Sequence, residues 1–166
     1  MIEKVNPMHP DKIADRIAGA VVDLAYKQDK NPKVAVEVLI GHGVCHIIAE
    51  SSVNINRIDV CLAVHRILKS HLIVIDFKCV TQDVHLARNQ NDKIRCGDNG
   101  VFKGMPLTNE QKRISDIARN IYERYGTDGK YVLDFDTDKL IICQSHAIEE
   151  DIRQLYPHAI INPLGY

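Results

Sequence analysis

The chain of 166 residues contains no tryptophan, and aromatic residues make up only 5% of it. Its formal net charge is −1, so it also lacks an excess of either sign. A general nucleic-acid binder shows a basic stripe with aromatic rings, and near-neutral charge with few aromatics argues against one. No apolar run reaches the ~18 residues that a transmembrane helix needs, so no membrane partner is expected. The N-terminus has no basic segment followed by an apolar core, which argues against a secretory signal. Cys45, Cys61, Cys79, Cys96 and Cys143 form an odd set with no Cys-x-x-Cys pair. Most sit among apolar neighbours. They read as reduced, packed thiols, and the expected compartment is the cytoplasm. What remains is a globular composition, 45% hydrophobic and 26% charged, enough for one ordinary domain or two small ones.

The apolar pattern gives one order of elements twice. Residues from Pro10 to about Gln28 carry Ile13, Ile17, Val21 and Leu24 at helical spacing, with proline in the favoured first position. "KVAVEVLI" (Lys33 to Ile40) and "VCHIIAESS" (Val44 to Ser52) read as strands around "GHG". "INRIDVCLAVHRIL" (Ile55 to Leu68) reads as a helix with Ile58, Leu62 and His65 toward one side, and "LIVIDFKCVTQ" (Leu72 to Gln82) as a strand. The second half begins with a helix from Thr108 to Gly126, capped at both ends, with Ile114, Ile117, Ala118 and Ile121 as its stripe. "KYVLDFD" and "KLIICQSH" then read as strands, "AIEEDIRQLY" as a short helix and "HAIINP" as a strand. Helix, strand, strand, helix, strand therefore recurs. The expected fold is α+β: two similar units, each a mostly antiparallel sheet with helices on one face. One unit spans residues 1–100 and the other 101–166, joined by the polar stretch from Asp83 to Gly104.

Several groups invite chemistry. "NPMHPDKIADRI" (Asn6 to Ile17) crowds His9, Asp11 and Lys12 into a helix start. A proline-started helix offers free N–H groups and a positive dipole end there. Glu37 stands in an otherwise apolar strand, where an unpaired buried carboxylate costs several kcal/mol. It is either solvated on an edge strand or a ligand for a cation or an ammonium group. Glu50 invites the same two readings. A two-residue loop, Gly41-His42 with glycine first as a type II′ turn prefers, puts Glu37 and Glu50 on one face with His46 opposite Glu37. A three-residue loop separates them. "CGDNGVFKG" brackets Asp98 with glycines that permit close backbone approach. "GTDGKYV" sets Asp128 and Lys130 at a strand start, where the lysine is either solvated or a point charge for a phosphate.

"HPDKIAD", a strand glutamate, a second strand glutamate thirteen residues later, "GDxGxxxG" and a final "INPLG" stand in an order that resembles the S-adenosylmethionine synthetases, over nearly the whole chain. The resemblance implies conversion of ATP, L-methionine and water to S-adenosylmethionine, phosphate and diphosphate, with Mg²⁺ and K⁺ as cofactors. It gives His9 and Lys12 catalytic roles, and His9, Asp98, Asp128 and Lys130 contacts to ATP. It assigns methionine to Glu50 and Gln90, Mg²⁺ to Glu3 and Asp11, and K⁺ to Glu37. His9, Asp11, Lys12, Glu37, Glu50 and Asp98 are expected to converge on one cavity. A homodimer packed through sheet faces is expected too, because Val34 to Ile40 is nearly unbroken in its apolarity while two helices cover one face only. The family runs on for roughly as long again, with a glycine-rich stretch and basic triphosphate-gripping residues beyond this chain's end, and "IRC" stands where its long loop would be. Turnover is therefore expected to be weakened. Three readings stay open: a compact synthetase, a non-catalytic nucleotide- or methionine-binding relative, and a non-ligand interaction protein.

Overall fold

The computed structural model describes residues 1–91 and 106–163. The chain forms two compact units. A terminal unit takes Met1–Lys12 with Gly104–Tyr166, and a central unit takes Ile13–Lys103.

The central unit contains α1 (Pro10–Tyr26, its first turn counted with the terminal unit), β2 (Val34–Gly41), β3 (Val44–Ser51), α2 (Arg57–Leu68), β4 (Val74–Thr81) and α3 (Val84–Asn91), while β1 (Ile2–Val5) lies in the terminal unit. The sheet order is β2-β3-β4, with β2 antiparallel and β4 parallel to β3. The hairpin turns through His42 and Gly43, with φ of 47° and 79°. Positive φ at both central positions is the type I′ arrangement, which wants glycine second. Gly41 stays in the strand and pairs with Val44. The loop is thus two residues long, the first of the two alternatives, but it lies one residue later, and His46 stands opposite Leu39, not Glu37.

The core of this unit lies on one sheet face. Ile17, Val21 and Ala25 of α1 and Val60 and Val64 of α2 bury against Cys45, Ile47, Ala49, Ile75 and Phe77. Burial also pushes the Cys45 thiol pKa up, as suits a packed thiol. The free cysteines among the described residues include Cys61, Cys79 and Cys143. The buried side of α2 differs from the expected one. Ile58 is 68% exposed and Leu62 61%, whereas Val60 and Val64 are fully buried. This helix is apolar on several sides, so spacing alone selects no face. The first part of the stretch expected as linker is also α3, a helix opened by Asp83, whose Oδ1 accepts the His85 N–H at 2.8 Å.

In the terminal unit, α4 (Asn109–Tyr125), β5 (Gly129–Asp134), β6 (Lys139–Gln144), α5 (Glu149–Leu155) and β7 (Ile160–Ile161) repeat the central order of helix, hairpin, helix and parallel strand. Thr108 and Gln111 form a reciprocal capping box at the start of α4, and Gly126 closes it in the left-handed region at φ 64°. Ile114, Ile117, Ala118 and Ile121 pack on Tyr131, Leu133, Leu140 and Ile142. The difference from the central unit is β1, which pairs antiparallel with β5 and makes the order β1-β5-β6-β7. Met1–Lys12 therefore group with the second half of the chain, not with residues 13–100. Both sheets are mixed, with a parallel last pair. No helix among the described residues is long and apolar enough to cross a membrane.

Two stability measurements follow. Val60→Ala and Val64→Ala should each lower unfolding free energy by roughly 1–3 kcal/mol, while Ile58→Ala and Leu62→Ala should stay within about 0.5 kcal/mol; urea titration reads the difference. Thr108→Ala should cost about 1 kcal/mol through loss of the α4 cap, seen as a lower midpoint in the same titration.

Candidate functional site

The terminal unit gathers three of the expected groups. A cleft of about 350 Å³ at the open end of the β5–β6 hairpin is lined by His9, Asp128, Lys130, Cys143, Ser145 and Asn162, with Gly129 and Gln144. The strand β5 begins there and β6 ends there, so Asp128 and Lys130 enter from one strand and Cys143 to Ser145 from the other. Lys130 and Cys143 are register partners.

His9 reaches the cleft because it caps α1. Its Nδ1 accepts the Asp11 N–H at 3.2 Å, and its carbonyl accepts the Lys12 N–H at 3.0 Å. The helix start therefore does not offer the amide of Asp11 to an outside phosphate, as the sequence suggested. That donor is occupied by the imidazole. The Asp11 carboxylate lies 3.7 Å from His9 Nδ1 and is otherwise exposed. Glu3, on β1, pairs with Lys130 at 3.3 Å. Both partners are substantially exposed, so the pair is worth little to stability, but it occupies the carboxylate assigned to Mg²⁺. Lys4 sits half-buried on the same strand. Burial, with the positive charges of Lys12 and Arg119, lowers its pKa.

Below the cleft lies a polar cluster that sequence reasoning missed. Asn6, Tyr131 and Gln144 are all buried. Tyr131 Oη donates to Gln144 Oε1 at 2.6 Å and accepts from Asn6 Nδ2 at 3.2 Å. Burial pushes the Tyr131 phenol up, the bond from Asn6 works the other way, and the Asp128 carboxylate adds to the rise. The hydroxyl stays a donor at neutral pH. The only advance signal was the Asn-Pro turn at Asn6, since partners so distant in sequence leave no local pattern.

The central unit holds the two glutamates. Glu37 is exposed on the edge strand β2, and Glu50 is half-buried on the middle strand β3. Glu37 lies opposite Ile48 and Glu50 opposite Ala35, so both side chains occupy the sheet face away from the core cluster. His46 and Asp76 share that face, paired at 3.2 Å, together with Lys78 and the exposed Leu39, Ile48, Val74 and Val80. A second cleft, about 460 Å³, opens where β3 and β4 end, lined by Ser52, Val53, Asn54, Thr81, Val84 and Ala87. Gln90 falls in α3, and Asp98 lies outside the described residues. His9, Asp11 and Lys12 thus belong to one unit and Glu37 and Glu50 to the other. Among the described residues no three His, Cys, Asp or Glu side chains are grouped to hold a metal ion by themselves.

The comparisons with known proteins agree with one another. The family model for the N-terminal domain of S-adenosylmethionine synthetase matches residues 1–94. The S-adenosylmethionine synthase of Mycoplasma capricolum is 34% identical over 134 residues, which is 72% of this chain and 34% of that protein. The one from Tropheryma whipplei is 38% identical over 129 residues, 75% of this chain and 31% of its own. The chain thus spans about a third of the length of these curated relatives. An S-adenosylmethionine synthetase structure from Campylobacter jejuni superposes with a TM-score of 0.62 at 17% identity, covering 98% of this chain and 57% of that one, and so shares its fold. Matched over more than half its length by the family model, the chain belongs to the S-adenosylmethionine synthetase family.

Proposed function

We propose that the chain binds ATP in the terminal-unit cleft and methionine at Glu50, serves the synthesis of S-adenosylmethionine, and turns over weakly by itself. The observation that carries the reading is the meeting of His9, Asp128 and Lys130 in one cleft. An imidazole, a carboxylate and an ammonium suit a nucleotide: the carboxylate takes ribose hydroxyls, and the ammonium and the imidazole N–H take phosphate oxygens. In the family reaction the methionine sulfur forms a bond to C5′ of ATP. The C5′–O bond breaks, and triphosphate leaves with the electron pair before water cleaves it to phosphate and diphosphate. Sulfur needs no general base, so this chain's residues position the reactants and offset the leaving group's charge. Glu50 is assigned the methionine ammonium, and Gln90 is assigned to the same ligand.

The donor set suits Mg²⁺ only in the usual manner of that ion, through one or two carboxylates with substrate phosphates supplying the rest. Asp11 is the exposed carboxylate next to His9, whereas Glu3 is held by Lys130. Bound there, the ion would neutralise phosphate charge. Glu37, exposed on the sheet face, is assigned the K⁺ ion. Lys12 and Asp98 keep their assigned roles toward the phosphates and the nucleotide.

Two arguments favour binding over turnover. A departing triphosphate carries about four negative charges, of which metal ions neutralise a part. The lysine that lines the cleft is Lys130, and Glu3 already offsets it. The reading also includes a homodimer. Leu39, Ile48, Val74 and Val80 are exposed together on the central sheet, on the side opposite its buried helix contacts, and a second copy of the same face is the assigned cover.

Addition of Mg²⁺ and ATP should raise the melting temperature of the wild-type chain by several degrees and that of Lys130→Ala by less than half as much. Methionine should act on the wild type and not on Glu50→Gln. S-adenosylmethionine formation, followed by chromatography, should stay near background. Rapid product formation would overturn the weak-turnover claim, and no thermal shift with either ligand would overturn the binding claim. Leu39→Asp should convert the dimer to a monomer in sedimentation, with Ile58→Asp on α2 unchanged; a wild-type monomer at micromolar concentration contradicts the assembly.

A further inference from the structure

The polar cluster under the cleft is ordered in one direction. Asn6 Nδ2 donates to Thr127 O at 2.7 Å and to Tyr131 Oη, whose proton goes on to Gln144 Oε1. Gln144 Nε2 in turn donates to Thr127 Oγ1 at 2.8 Å, and Thr127 Oγ1 to Ser145 O at 2.7 Å. Among the described residues no buried side-chain nitrogen or oxygen lacks a partner. A fully satisfied network of this kind fixes geometry, because any rotation strands a buried donor.

We propose that this network is a positioning device for His9, with Asn6 as the positioning residue. One side of Asn6 shapes the turn that carries the histidine: its Oδ1 accepts the Met8 N–H at 3.0 Å, and its carbonyl accepts the His9 N–H at 3.1 Å. The other side anchors that turn: its N–H donates to Gly129 O at 3.0 Å, and its Nδ2 reaches Thr127 and Tyr131. The far end of the turn is the His9 ring, whose Nδ1 accepts from Asp11. An N–H donor there forces Nδ1 to be the unprotonated nitrogen, so the proton of the neutral ring sits on Nε2.

Gly129 supports the reading independently. A Cβ on it would run into Gln144 Oε1, and would stand 2.5 Å from Tyr131 Oη and 2.8 Å from Asn6 Nδ2. Gly129 is not among the positive-φ glycines. Its lack of a side chain therefore serves the network, which needs that space, and not the backbone. The consequence for a ligand rests on the nucleotide reading above, while the effect on His9 does not.

The test reads the Asp11 amide and the His9 ring by NMR in the ligand-free chain, at one fixed pH for all variants. Asn6→Ala and Tyr131→Phe should each speed hydrogen exchange of the Asp11 amide roughly tenfold, relative to amides in the middle of α4. They should also move the His9 ring nitrogens toward the exchanging tautomers of free histidine. Ile121→Val, a core change off the network, should lower the melting temperature without either effect. If Asn6→Ala does not fold, Tyr131→Phe decides. Folded variants with a wild-type His9 ring and Asp11 exchange overturn the proposal and reduce the network to a structural role. Wild-type behaviour as expected here, with no ATP binding, overturns the nucleotide reading alone.

Discussion

The four residues of β1 do not join the sheet of their own half of the chain. They extend the terminal sheet by pairing with Lys130 to Leu133, and the place of His9 at the terminal-unit cleft depends on that pairing. Once Ile2 is opposite Leu133 and Val5 opposite Lys130, the next residue, Asn6, arrives beside Gly129 and Tyr131. The turn that follows carries His9 to the cleft that Asp128 and Lys130 also line. The backbone bonds of a short edge strand are weak individually. The buried Asn6 amide adds the specificity, since a slip by one residue would expel it from its acceptors and bury a different side chain in their place.

Repetition explains the frame and also what differs within it. Each unit is a hairpin, a crossover helix and a parallel strand, with helices burying one face. In the terminal unit the added strand brings a histidine to the hairpin's open end. In the central unit the sheet instead displays charge on the face away from its core, where Glu37, Glu50 and the His46–Asp76 pair stand among exposed aliphatic residues.

How much of this was legible in the sequence depended on how local the cause was. The α4 caps were legible, because Thr108, Gln111 and Gly126 act within their own helix ends. The shared face of Glu37 and Glu50 was legible through loop parity, although the turn formed one residue later; sliding a two-residue loop shifts the register by two and keeps the face. The buried side of α2 was not, since Ile58 and Leu62 obey the same spacing as Val60 and Val64, and only the sheet beneath decides between them. The place of β1 was invisible for a related reason. Four residues carry no period, and their partner is far along the chain. Asn6, Tyr131 and Gln144 followed from that pairing and were missed with it.

The central claim is that a nucleotide site survives in the terminal-unit cleft. It is tested most directly by amide and side-chain NMR of the labelled chain titrated with ATP and Mg²⁺. The account predicts saturable shifts at His9, Gly129, Lys130 and Cys143 to Ser145, with Leu72 and Leu62 on the central unit unmoved. Saturating ATP that leaves the cleft resonances in place would contradict it.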